Sequence, residues 1–185
     1  YGPGSGLTAI SDGLRDGANL LRGIDPYDGD ALKVIMLLTD GEQTTGGGDP
    51  AAIAEATLIK NDGITIFSIG FGGARAATMN SIASTPTATH SYLGTSMVDI
   101  SQRFARVCEI LINPPSPMPP PPPPSPSPPP PRLNPPPASP SCSIQLDLVL
   151  VLDRSGSMSS EIAAVKAFAR QIVAQIDLDG SSSSG

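Results

Sequence analysis

Hydrophobic positions along this chain follow two patterns, continuous apolar runs and stretches with an apolar residue every three or four positions. The continuous runs predict strands that are buried on both faces, as in a parallel sheet. They lie at 33–40 (KVIMLLTD), at 64–72 (ITIFSIGFG) and at 144–152, where the run LVLVL is followed directly by Asp153. A weaker strand is predicted at 90–93.

The periodic stretches predict amphipathic helices between these strands. One of them is expected to start at Pro50, with Asp49 as its N-cap, and to stop at NDG. Strands that alternate with helices predict an α/β fold, a doubly wound and mostly parallel sheet. The predicted helices cover 8–23, 50–61, 78–83, 97–112 and 160–176.

Prolines divide the chain, since 18 of the 22 lie between Pro114 and Pro140. Proline lacks the amide donor and fixes φ, so this tract predicts an extended polyproline II linker. A passive spacer and a recognition or glycosylation segment both remain open for it. The predicted organisation is a globular segment 1–112, a linker 113–141, a second segment 142–180 and a flexible tail 181–185.

Charge excludes some classes of function. The net charge of −6 and the pI of about 4.5 argue against nucleic-acid binding, which needs a basic patch. No apolar run approaches the roughly 20 residues of a membrane span. The start, YGPGSGL, resembles no natural N-terminus, so we expect a piece of a longer chain.

Two cysteines, Cys108 and Cys142, flank the proline tract. Their positions beside a linker favour disulfides and an oxidising compartment. Two buried free thiols remain the alternative.

Polar oxygen groups follow two of the predicted strands. Asp40 ends one of them, and Asp153 ends another and begins the pattern D-x-S-x-S with Ser155 and Ser157. Open α/β sheets bind ligands beyond the carboxyl ends of their strands. Carboxylates and hydroxyls without thiolates or imidazoles suit Mg²⁺, or Mn²⁺ or Ca²⁺, rather than zinc.

These motifs resemble the von Willebrand factor A domain and its metal-ion-dependent adhesion site. That family has D-x-S-x-S after its first strand, a threonine ahead of a middle helix, and TDG at the end of its fourth strand. Thr8, in GLTAISDGL, matches the threonine. The resemblance implies that the two serines and Thr8 ligate the metal, that both aspartates act directly or through water, and that a partner's carboxylate takes the open position.

Enzymatic activity is not expected. A phosphatase of the haloacid dehalogenase type would need a second aspartate where Ser155 stands. No P-loop, G-x-S-x-G motif or Cys/His pair occurs, and His90, the single histidine, precedes a weak strand.

The order of the motifs departs from the family, because the first strand and helix come after the proline tract and the second and third strands are not found. In the family order 3-2-1-4-5-6, the strands present would be neighbours, and the first would have an unpaired apolar edge. The sequence could span two tandem domains, form one permuted domain, or exchange halves between chains. A tract of about 28 residues would extend about 80–90 Å, so we favour separated halves, with head-to-tail or tandem self-association.

Two further expectations come from resemblance. Family members often carry cysteines before the first strand and after the last helix, which implies that Cys108 and Cys142 pair with other repeats or chains. The SPSPPPP tract resembles hydroxyproline-rich, pherophorin-like glycoproteins of green algae, which implies secretion and O-glycosylation. The candidate glycosylation residues are Ser116, Pro117, Pro119, Pro120, Pro121, Pro122, Ser125, Pro126, Ser127, Pro128, Pro129 and Pro130.

Together these expectations describe an extracellular, metal-dependent adhesion or matrix module on a rigid glycosylated spacer, which binds an acidic group of a protein or glycan. The alternative is a structural subunit of an extracellular glycoprotein fibre, with head-to-tail assembly and a metal site that is non-functional or only structural.

Overall fold

The computed structural model describes residues 8–23, 31–95, 100 and 146–175, apart from the side chains of residues 157, 160 and 175. Its sheet is parallel throughout, with the strand order β3-β2-β1-β4, so the predicted α/β architecture is confirmed. The order is also the one expected for the first, fourth, fifth and sixth family strands. The strands are β1 (Leu32–Thr39), β2 (Thr65–Gly70), β3 (Ser91–Leu93) and β4 (Leu146–Leu152).

Helices follow the strands as the apolar periodicity predicts, apart from an unpredicted 3₁₀ helix at Gly156–Ser160 and two further differences. The short helix α4 was not predicted, and the expectation that Asp49 caps α2 is wrong, since α2 begins at Gly48 and its N-cap is Gly47. The helices are α1 (Ile10–Gly23), α2 (Gly48–Asn61), α3 (Ala76–Ile82), α4 (Thr87–His90), a 3₁₀ helix (Gly156–Ser160) and α5 (Ile162–Gln175).

Both faces of the sheet are covered, which explains why β1 is apolar at consecutive positions. Side chains of a strand alternate between faces. Ile35 and Leu37 pack with residues of α1 and α2, whereas Met36 and Leu38 pack with Phe168 and its neighbours on α5. The fold is therefore doubly wound around a two-sided core.

The described sheet ends at β4, which pairs there only with β1. Its residues are half-buried, and Leu152 is 36% exposed. This pairing joins residues 146–152 to residues 32–38 of the same chain. A tandem array, a permuted domain and an exchanged pair would all contain the same strand contact, so the head-to-tail arrangement stays a prediction.

Several predictions fall outside the described residues. They concern the proline tract with its candidate glycosylation positions, Cys108, Cys142 and the helix at 97–112, of which only Ile100 is described, as a buried core residue. In the part of the chain that is described, no helix has both the length and the apolarity to cross a membrane.

Candidate metal centre

The carboxyl ends of β1 and β4 meet at one edge of the sheet. Leu38 lies opposite Leu152 in the parallel register, and the next amide, that of Asp153, donates to the Leu38 carbonyl at 2.9 Å. Thr39 and Asp153 are thereby neighbours across the two strands. The prediction that two aspartates follow adjacent parallel strands is confirmed at this edge, with Asp40 one residue beyond Thr39.

The carboxylate of Asp153 is held by two neutral donors. Its Oδ2 accepts a hydrogen bond from Thr39 Oγ1 at 2.7 Å, and its Oδ1 accepts from the Ser155 amide, also at 2.7 Å. Thr39 Oγ1 lies farther, 3.3 Å, from the Gly41 carbonyl, so its single proton is best placed for Asp153. Two short bonds from opposite sides fix the orientation of the carboxylate group.

The backbone of Asp40 is enclosed by the turn that follows β2. The Gly73 amide donates to the Asp40 carbonyl at 2.9 Å. Gly72 has φ +59°, a left-handed conformation that favours glycine, and a Cβ on Gly73 would lie 3.2 Å from the same carbonyl oxygen. These glycines let the turn approach Asp40 closely and keep it at the sheet edge.

Thr8 is held against the loop that follows Asp40. Its amide donates to Thr44 Oγ1 at 2.8 Å, and its carbonyl accepts from the amides of Thr44 and Thr45 and from Thr45 Oγ1, at 3.0, 3.3 and 3.1 Å. The threonine predicted from its place before α1 therefore lies next to the TDG loop, although 36 residues separate Thr8 from Thr44.

Gln43 links this loop to three other parts of the fold. Its Oε1 accepts from the Ser11 amide at the start of α1 at 2.7 Å, and its Nε2 donates to the Thr45 carbonyl at 2.9 Å. Its own amide donates to Asp49 Oδ1 at 3.0 Å, and Asp49 Oδ2 accepts from Thr78 Oγ1 at 2.7 Å. Local sequence patterns do not reveal a role for the buried Gln43, because a glutamine in a polar loop carries no local signal.

The donor set suits a hard divalent cation. Thr8, Ser155 and Asp40 are only 5%, 6% and 9% exposed, and all offer oxygen atoms. Among the described residues, Asp153 accepts hydrogen bonds from neutral donors and forms no ion pair with a cationic side chain. These residues therefore do not neutralise its negative charge. Carboxylate and hydroxyl oxygens are the ligands that Mg²⁺ takes in proteins. The residues therefore fit the implied metal.

Two further observations define the donor set of this centre. The backbone of Ser157 lies in the 3₁₀ helix, but its side chain is outside the described residues. The described residues also contain no group of three or more His, Cys, Asp or Glu side chains placed to hold a metal, so the candidate site depends on hydroxyls beside its two aspartates.

Comparison with protein families matches residues 3–105 of the 185 to the von Willebrand factor type A domain. The match covers more than half of the chain. This chain belongs to the von Willebrand factor type A domain family. Searches of curated proteins and of solved structures gave no match.

The family match confirms the resemblance for the von Willebrand factor type A domain and covers Thr8 and Asp40. It stops before the segment that carries Asp153, Ser155 and Ser157, whose place beside β1 comes from the strand pairing. Von Willebrand factor type A domains commonly take part in adhesion and metal-dependent binding. The identity of the ion, the permuted order and the likeness of the linker to algal glycoproteins stay predictions.

Proposed function

We propose that this von Willebrand factor type A domain is an extracellular binding module without enzymatic activity, which holds an acidic group of a protein or glycan partner through a Mg²⁺-type site. The bond between Thr39 and Asp153 carries the proposal, because it brings the D-x-S-x-S motif to the end of the TDG strand. Thr8, Asp40, Asp153 and Ser155, with Ser157 expected from its motif, would hold the ion. When bound, the ion would supply an open coordination position for a partner's anionic oxygen.

The charge of the chain supports a metal requirement. With a net charge of −6, the protein is expected to repel an acidic partner unless a cation lies between them. The exposed rim of the site contains the ion pair of Glu42 with Arg75, so Arg75 is already paired with an acidic group.

Calorimetry with Mg²⁺ and Mn²⁺ tests the metal site. Wild type should bind, and Asp153→Ala and Asp40→Ala should each lose binding while keeping the far-UV circular dichroism of the fold. A second test is retention on immobilised polyglutamate, which should need Mg²⁺ and be reversed by a chelator. Equal metal affinity in wild type and both variants would reject the site.

One observation favours the fibre alternative, since β4 pairs only with β1 among the described strands and so presents an open edge. A fibre subunit with a non-functional metal site would assemble equally with and without chelator. Light scattering under both conditions separates the two functions.

A further inference from the structure

The described residues from 8 to 95, here called the body, contact residues 146–175, here called the C-terminal segment, across three surfaces, of which one is the sheet face that α5 covers. The first is the edge of β1, which pairs with β4 from Leu32↔Leu146 to Leu38↔Leu152. Body and segment are joined in sequence only through residues 96–145, so this contact is a docking event between distant parts of the chain.

The second surface is a strip of α1 formed by Gly13 and Gly17, which have no side chains; it is here called the glycine face. A Cβ on Gly13 would lie 2.8 Å from Val151 Cγ1. A Cβ on Gly17 would lie 3.1 Å from Val151 Cγ2 and 3.2 Å from Val149 Cγ1. The valine methyl groups thus take the space that two glycines four residues apart leave open, which makes the face complementary to a β-branched strand.

Two features of the docked state act against docking. In the described sheet β4 has one neighbouring strand, and its residues stay half-buried. Asp147 Oδ2 is buried and accepts no hydrogen bond from the described residues, which disfavours the docked state. Burial of Val165, Phe168 and Ile172 on α5 acts in the opposite direction and favours docking.

The candidate metal ligands are divided between the two parts. Thr8 and Asp40 belong to the body, whereas Asp153 and Ser155 belong to the C-terminal segment. We infer that the edge of β1 and the glycine face of α1 form a docking surface for residues 146–175, and that a divalent cation at the shared site clamps this segment in place. The inference rests on the proposed metal site.

The coupling follows from linkage. A cation that contacts oxygens of both parts binds the docked state more tightly than the undocked state, where only one part offers ligands. It must therefore favour docking to the same extent that docking favours its binding. At a concentration 100 times its dissociation constant, an ion without affinity for the undocked state shifts the docking equilibrium about 100-fold, and any affinity for that state makes the shift smaller.

Hydrogen exchange measured by mass spectrometry on the 185-residue chain tests this inference. With Mg²⁺ at about 100 times the dissociation constant from calorimetry, exchange of the β4 amides should slow by up to about 100-fold. Amides of α2 should slow much less, because the body stays folded when the segment undocks. Asp153→Asn should abolish the response. Thr57→Val should keep it, since its hydroxyl bonds only the Ile53 carbonyl on the exposed face of α2.

The outcomes distinguish the inference from the proposed function. Absence of calorimetric Mg²⁺ binding would overturn both. Binding without a change in β4 exchange would overturn the docking inference and leave the metal site standing. Equal slowing of β4 and α2 would show that Mg²⁺ stabilises the whole domain as one unit, which also overturns separate docking.

Discussion

The Thr39 hydroxyl donates a hydrogen bond of 2.7 Å to the Asp153 carboxylate, although 114 residues of sequence separate the two. Thr39 ends β1, and Asp153 follows β4. Through this bond the Thr39 side chain of the body orients Asp153, a candidate metal ligand of the C-terminal segment. The bond also brings the two motifs, each weak alone, to the same edge of the sheet.

Thr39→Val tests this orientation. The variant keeps the shape of the side chain but removes the donor, so Mg²⁺ affinity should fall about 10–100-fold, as for other residues that orient metal ligands. Thr39→Ser keeps the hydroxyl and should stay close to wild type in calorimetry. Thr57→Val, which loses a hydroxyl far from the site, should bind normally. Equal affinity in Thr39→Val and wild type would contradict the role.

Gln43 should matter for both stability and metal binding. Gln43→Ala leaves the Ser11 amide and the Thr45 carbonyl without their partner, which should lower the free energy of unfolding by about 1–3 kcal/mol. Mg²⁺ affinity should fall as well, because the loop no longer holds Thr8. Urea unfolding and calorimetry measure the two effects, and the exposed Gln171→Ala should change stability by less than about 0.5 kcal/mol. A Gln43→Ala variant with normal Mg²⁺ affinity would show that the loop does not position Thr8.

Gly13 should be intolerant of a methyl group. Alanine is favoured over glycine in a helix interior by about 1 kcal/mol, but crowding of a packed core costs about 1–3 kcal/mol. At 2.8 Å from Val151 the crowding should win, so Gly13→Ala should destabilise the domain in urea unfolding. Gly23→Ala, with no atom within 4 Å of the added Cβ, should be neutral or stabilising.

A double-mutant cycle with Val151→Ala assigns the Gly13 effect to this contact. The coupling energy should be about 0.5–3 kcal/mol, because the smaller partner makes room for the new methyl group. If the two changes in the free energy of unfolding are strictly additive, the effect of Gly13→Ala does not come from its contact with Val151.

Mixing two defective chains tests head-to-tail assembly. An Asp40→Ala chain has an intact C-terminal segment, and an Asp153→Ala chain has an intact body. If halves exchange between chains, an equimolar mixture should regain Mg²⁺ binding that neither variant shows alone. Separate titrations of each variant are the control. If the mixture still does not bind Mg²⁺ after both chains have been denatured and refolded together, the result would favour closure within one chain.

The linker prediction is tested on native material. Every side chain of a polyproline II helix faces solvent, so serines and hydroxylated prolines from Pro114 to Pro140 should carry O-glycans. Mass spectrometry of the native protein should find a heterogeneous mass excess confined to this tract. An unmodified tract would contradict the expectation.

Helix α2 illustrates where local patterns mislead. Sequence rules place Asp49 at the N-cap, but Gly46, Gly47 and Gly48 all have positive φ and start the helix at Gly48. Asp49 then lies inside the first turn, where it accepts from the Gln43 amide and the Thr78 hydroxyl. The Asp49 side chain thus bonds to other parts of the fold instead of capping its own helix.

By itself the sequence determined the parallel sheet, its helices and the aspartates at two strand ends. Continuous apolar runs are stable only where both faces of a strand are covered, and parallel strands end at a common edge. Only the tertiary structure decided which residues hold Asp153 and Thr8, and how α1 receives β4. Thr39, Gln43 and Gly13 act through contacts with residues far away in the chain, and such contacts depend on how loops and helices pack rather than on any local pattern.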